Sequence, residues 1–234
     1  MLTSAAPGVW HCFGTREGPI HHEGEGSSPG AAFPDARQPR HVVSVTQVHG
    51  TDVLVVDRRY SSRATQAGGW DAMVTDQPGV LLTVRTADCV PVLVFDPHRR
   101  VIGAVHAGWR GAVAGIVPKT LDLLRERFES RSDSLLVGIG PAIGSCCYEV
   151  DEPVLRPLRE GFADWRSVVT MQGTGRGRLD LKALVREQAV LAGVRPEHIS
   201  SEGLCTACRP DLFFSYRRDG VVIRTMVHGI MLTD

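Results

Sequence analysis

An apolar run that ends in histidine and a glycine-bracketed turn, VIGAVHAGWRG at 101–111, constrains this chain more than any other stretch. VIGAV reads as a short buried strand, and AGWRG turns the backbone towards a helix. Gly108 and Gly111 bracket the turn because a residue without Cβ takes backbone conformations that others avoid. A histidine at such a junction projects from a sheet edge, where loops build sites. Arg110 adds a rigid fork of donors suited to a carboxylate or a phosphate. Two other apolar runs end in the same way: HVVSVTQVHG brings His49 to a turn, and VLLTVRTADC brings Asp88 and Cys89 to one.

Period-2 alternation and β-branched content predict strands at 9–13, 42–47, 80–86, 92–95, 101–105, 135–139, 167–171 and 221–230. Pro91, lacking a backbone donor, predicts a break in the ladder between the third and fourth of these. Helical spacing predicts helices at 112–128, 152–160 and 181–192. Pro118 imposes a kink on the first of them or a later start. Asp180 is the expected N-cap of the last and Gly193 its close. Gly138, Gly140 and Gly144 lie in GIGPAIGSCC, whose spacing is no dinucleotide fingerprint, so a Rossmann fold is rejected. GTGRGR at 173–178 reads as a flexible basic connector. Residues 14–40, rich in Gly, Pro and His, form an expected mobile loop, and His21–His22 within it read as solvated. The whole chain, 1–234, reads as one domain.

Hydrophobic residues make up 43% and charged ones 22% of the chain, as in an ordinary globular protein. Lys+Arg and Asp+Glu both number 26, which argues against nucleic acid or an anionic membrane as partner. No apolar stretch approaches the roughly 20 residues that a membrane span needs. The first residues lack a basic region followed by an apolar one, so a cytoplasmic location is expected. Six cysteines stand at 12, 89, 146, 147, 205 and 208. In that compartment they read as thiols, metal ligands or nucleophiles rather than a disulfide framework. Adjacent Cys146 and Cys147 would make a strained bridge and read as free thiols. Cys205 and Cys208 in CTAC have metal-ligand spacing, but a structural zinc needs four ligands and the chain has no second CxxC.

The set QVHGTDV, DAMVT, TADCVPVL, HAGWRG, GIGPAIGSCCYEV, LDL and FFSYRRDG, in that order from Gln47 to Ile230, resembles the laccase-domain family of purine nucleoside phosphorylases, formerly described as multicopper polyphenol oxidases. The resemblance implies an α+β fold, a single domain of mixed β-sheets covered by helices. It also implies zinc-dependent phosphorolysis of adenosine, inosine and methylthioadenosine, with adenosine deaminase activity besides. The partners would be purine nucleosides and phosphate, and the protein a monomer or a homodimer. The family's metal ligands fall on His49, Cys89 and His106. The family's usual Asn-Leu-Ser stretch is replaced here by TREGPIHHEG, so contacts that relatives draw from that region do not transfer.

Two imidazoles and a thiolate leave a fourth zinc position open, as in catalytic rather than structural sites. Asp88 is the candidate for acid/base work, with ligand orientation as its other reading. Arg110 is the candidate phosphate clamp, and Tyr148 and Arg217 are candidate substrate contacts. Cu2+ would also enter a site of one Cys and two His of this kind in vitro. Two alternatives use the same residues: a hydrolase with Cys89 as nucleophile and His106 or His49 as base, and a copper-dependent polyphenol oxidase.

Overall fold

A computed structural model describes residues 7–20, 38–58 and 68–233. Its centre is a six-stranded sheet. In chain order its strands are β4 (Val53–Val55), β5 (Ala72–Thr75), β7 (Val90–Asp96), β8 (Val101–Ala107), β9 (Leu136–Ile139) and β13 (Ile199–Ser201). Across the sheet they run β13-β9-β7-β8-β5-β4, with β7 and β8 a hairpin in the middle. A five-stranded sheet comprises β1 (Val9–Gly14), β2 (Pro19–Ile20), β3 (His41–Ser44), β6 (Val80–Thr86) and β14 (Met226–Leu232), ordered β2-β1-β14-β6-β3. A third, small sheet is built from β10 (Glu149–Asp151), β11 (Val169–Met171) and β12 (Arg176–Leu179).

The central strands read as continuous apolar runs because both of their faces are covered. Alternation sorts their side chains between two cores. Met73, Leu93, Phe95, Ile102 and Ala104 face the five-stranded sheet and pack with Leu82, Val84, Ile230 and Leu232. Val74, Val92, Val94, Val101 and Val105 join the opposite core. That core is closed by α1 (Trp109–Val113), α2 (Ile116–Phe128), α3 (Glu152–Gly161) and α4 (Leu181–Leu191). Each fully buried side chain of this kind contributes about 1.5–3 kcal/mol. A last short helix, α5 (Tyr216–Asp219), begins at Ser215, whose side chain accepts from the Arg218 N–H. The architecture is the expected α+β one. No helix among the described residues is long and apolar enough to cross a membrane.

Several local expectations change. Pro91 does not break the ladder; it lies within β7 opposite His106. The His106 N–H bonds away from β7, to the Asp71 carbonyl, so this is a non-hydrogen-bonded pair and β8 never needs a donor from Pro91. The helix expected over 112–128 is two helices, α1 and α2, and regular α2 starts late, with Gly115 at φ 84 before it and Pro118 in its first turn. The connector expected at 173–178 is partly strand, since Arg176–Leu179 pairs with both neighbours in the small sheet. The closing strand starts at Met226, and Val221, Val222 and Ile223 are exposed before it. The loop expected from residue 14 opens as a hairpin, with Phe13 opposite Ile20 and Gly14 opposite Pro19. Residues 21–37, with His21 and His22, lie outside the described residues. Asp180 caps α4 as expected, accepting from the Ala183 N–H at 2.9 Å, and Gly193 follows that helix at φ 95.

His228 of β14 is fully buried between the sheets. Its Nδ1 accepts from the Gly14 N–H at 3.1 Å, so the neutral ring donates from Nε2 to Thr86 Oγ1 at 2.7 Å. Burial and the positive His106 nearby hold its pKa down at about 3, against 6.5 in the open chain. Between those values the unfolded chain binds a proton that the folded chain excludes. The stabilisation is therefore complete above 6.5 and is lost as pH falls towards 3. Thermal midpoints measured from about pH 7 down to about pH 4 are expected to fall, and to fall less steeply in His228→Gln. Equal slopes would place the acid lability elsewhere.

Candidate metal centre

The centre forms where the β7–β8 hairpin meets the loop between β3 and β4. Cys89 immediately precedes β7, and His106 is the last residue but one of β8. Pairing of the two strands sets them side by side, so His106 is buried within the sheet rather than projecting from its edge. His49 arrives on the β3–β4 loop with φ 62, a left-handed conformation that few residues other than glycine adopt. The three ligand atoms lie within 4.8 Å of one another. Cys89 Sγ and His49 Nε2 are 3.7 Å apart, and the two imidazoles meet edge to face with centroids at 4.8 Å.

Asp71 organises the cluster, and sequence reasoning did not single it out. It stands just before β5, wholly buried. Its carboxylate accepts from the N–H groups of Val48, His49 and Gly50 at 3.2, 2.9 and 2.6 Å. The same carboxylate meets His106 Nδ1 at 2.7 Å, which leaves Nε2 of that ring to face the cluster. Burial alone would raise the pKa of Asp71, but bonding to His106 and to these N–H groups holds it below the usual carboxylate range. The signal was present in DAMVT: an aspartate leading directly into a buried strand needs a partner.

Electrostatics favour the ligating form of Cys89 and the protonated form of His106. Burial pushes the Cys89 thiol up, but hydrogen bonds from His106 and His49 bring it down to about 7. Burial pushes His106 down, but Asp71 and Cys89 raise it to about 9. Cys89 is thus readily a thiolate, while His106 holds a proton that a bound cation would have to displace. Two imidazole nitrogens, one of them oriented by a carboxylate, and one thiolate form a donor set that fits a metal cofactor. The turn expected to need glycine does need it. A Cβ on Gly108 would lie 2.5 Å from His49 Cδ2 and 3.2 Å from Cys89 Sγ, and one on Gly111 would lie 2.6 Å from the Gly50 carbonyl oxygen.

The other expected residues gather at one side. Asp88 has φ 96 and a buried carboxylate, which accepts from Thr206 Oγ1 at 2.5 Å, Ser215 Oγ at 3.0 Å and the Arg217 N–H at 2.6 Å. The Arg217 guanidinium lies 5.1 Å from the centroid of the Tyr148 ring and donates to the Glu149 carbonyl. Burial, with Cys89 and Asp88 nearby, keeps the Tyr148 hydroxyl protonated well above its usual range, while Arg217 and Arg110 oppose that shift. Arg110 is exposed and stacks 4.4 Å over the Trp109 ring, with no ion pair among the described residues. A cavity of about 480 Å³, lined in part by Arg16, Ala87, Phe214, Ser215 and Arg224, opens beside Asp88, but none of the three ligands lines it.

Two substitutions test this construction. Asp71→Asn keeps the shape but loses the charge that orients His106, and is expected to weaken metal binding about 10–100-fold in a chelator competition. Gly108→Ala places a methyl between His49 and Cys89 and is expected to reduce metal content more than Asp71→Asn does, with the circular dichroism spectrum retained.

Comparison with known proteins identifies the family. The model of the multi-copper polyphenol oxidoreductase laccase family matches residues 32–233. The chain is 41% identical, over 76% of its own length and 67% of the relative's, to purine nucleoside phosphorylase YlmD of Geobacillus stearothermophilus. It is 31% identical, over 77% and 71%, to adenosine deaminase RL5 of an unknown prokaryotic organism. The crystal structure of YlmD from Geobacillus stearothermophilus superposes with a TM-score of 0.79 at 32% identity, covering 97% of this chain and 93% of that one. With the family model matched over residues 32–233, this chain belongs to the laccase-domain family, and relatives it matches are named purine nucleoside phosphorylases.

Proposed function

We propose that this protein is a zinc-dependent purine nucleoside phosphorylase, acting on adenosine, inosine and methylthioadenosine, with adenosine deaminase activity besides. The observation that carries the reading is the convergence of His49, Cys89 and His106 beside Tyr148, Arg217 and an exposed arginine. The names of the relatives, phosphorylase and deaminase, support it.

His49, Cys89 and His106 would hold the ion, which when bound supplies Lewis-acid chemistry and lowers the pKa of an oxygen it contacts. The chain's own residues do the rest. Arg110, over the Trp109 ring and with no ion pair among the described residues, presents its donors to phosphate. Tyr148 keeps its proton and donates a hydrogen bond to the nucleoside, while its ring and the Arg217 guanidinium form one wall. Asp88, expected as acid or base, already accepts three hydrogen bonds. In this reading it positions the turn that carries Arg217 and keeps Cys89 in register.

One observation favours a second reading. Asp71 holds His106, and the ligand atoms of His106, His49 and Cys89 lie within 4.8 Å of one another, a grouping that also suits an activated thiol nucleophile. Dependence on metal separates the two, since a thiol nucleophile gains nothing from zinc.

The test is chromatography of adenosine incubated with the purified protein, with and without phosphate. Phosphate-dependent adenine and ribose 1-phosphate are expected, abolished by Cys89→Ala, lost on chelation and restored by zinc. Activity that survives chelation would support the thiol nucleophile, and inosine formed without phosphate would make the protein chiefly a deaminase. Arg110→Ala is expected to raise the KM for phosphate about 10–100-fold, the worth of a charge-assisted bidentate contact. Deamination, which uses no phosphate, should change far less.

A further inference from the structure

The proposed reaction leaves four cysteines unused, and the fold brings them together. Cys146 and Cys147 lie in the turn between β9 and β10, and Cys205 and Cys208 in the turn after β13. Some sixty residues apart in sequence, the two turns are tied by a bridge between Ala142 and Cys205 and by the Thr206 N–H donating to the Ala142 carbonyl at 3.1 Å. All four are free thiols, and their sulfurs lie within 4.8 Å of one another. Cys208 Sγ is 3.6 Å from Cys146 Sγ and 3.3 Å from Cys147 Sγ. Zinc held by four thiolates at about 2.3 Å requires sulfur–sulfur edges of about 3.8 Å. CTAC therefore has its partners: not a second CxxC, but the adjacent pair Cys146–Cys147.

We propose that Cys146, Cys147, Cys205 and Cys208 form a closed tetrathiolate site for a structural zinc ion, separate from the His49–Cys89–His106 centre. Three features besides the spacing point to it. Cys205 Sγ already accepts from the Gly144 N–H at 3.2 Å, the kind of bond that steadies a ligating thiolate. Four thiolates around a divalent ion keep a net negative charge, and two cations are fixed at the rim. Lys182 is half-buried and donates to the Glu202 and Leu204 carbonyls at 2.8 and 3.0 Å, and Arg178 donates to the Cys146 carbonyl at 2.7 Å. Finally, Cys146 and Cys208 are exposed while Cys205 is buried, so an ion enters from solvent and is held against the body of the protein.

The site would brace the substrate wall. Tyr148 directly follows Cys147, and Thr206 lies between Cys205 and Cys208, bonded to Asp88. A single ion would thus fix both turns that present these residues, with no open position for chemistry of its own.

The test is elemental analysis of the protein purified without chelators. The wild type is expected to hold two zinc ions per chain, and His49→Ala/His106→Ala to keep one. Exchange of that one for cobalt should give the intense sulfur-to-metal absorption of several thiolates, where the other centre offers only one. Cys205→Ser/Cys208→Ser should lose one ion, but the proposal does not depend on that variant folding, because the histidine variant leaves all four cysteines intact. A metal-free His49→Ala/His106→Ala protein overturns the proposal if its four thiols react freely with a thiol reagent. It is equally overturned if intact-mass measurement shows the loss of two hydrogens per disulfide among them.

Discussion

A single buried carboxylate underlies the arrangement. Asp71 receives three consecutive N–H groups from the loop that carries His49 and holds the ring of His106 with its remaining capacity. A buried carboxylate without partners costs several kcal/mol, so the loop, the histidine and the aspartate stand or fall together. Two of the three candidate ligands are thereby positioned by one group outside that set. The third, Cys89, is fixed by the pairing of the strand it leads.

That carboxylate works because the layer around it is dry. The six-stranded sheet is covered on one face by a second sheet and on the other by helices, which leaves its central strands with no exposed side but their ends. Polar chemistry is confined to those ends. There the backbone accepts left-handed conformations at His49 and Asp88, departures that packed surroundings sustain at functional sites.

Much of this was legible in the sequence where a segment's own pattern decided its fate. The strand at 80–86 and the capped helix from Asp180 carry their periodicity and their end signals within themselves. Reading was weaker where a distant partner decides. Pro91 sits comfortably in a strand only because of how His106 is bonded on its far side, which no local rule reveals. Of the candidate site, the three ligands came from resemblance and from their shared place at the ends of apolar runs. Asp71 went unnoticed because its partners lie more than twenty residues away on either side. The cysteine pairs were separated for the same reason: each looked incomplete until the two turns were seen to touch.

The order of strands in the five-stranded sheet sets the timing of folding. Its middle member is β14, flanked by β1 and β6, so the strand furthest along the chain fills the centre of a sheet begun by the first. During synthesis the six-stranded sheet has all its strands once residue 201 has emerged. The edges of β6 and β1 that will meet β14 must meanwhile wait, unpaired, for residues 226–232. Such non-local closure is slow, and exposed strand edges recruit one another while they wait. Ribosome-bound chains of this protein therefore pass through a long interval with one layer finished and the other open, in which a holding chaperone has a defined surface to cover.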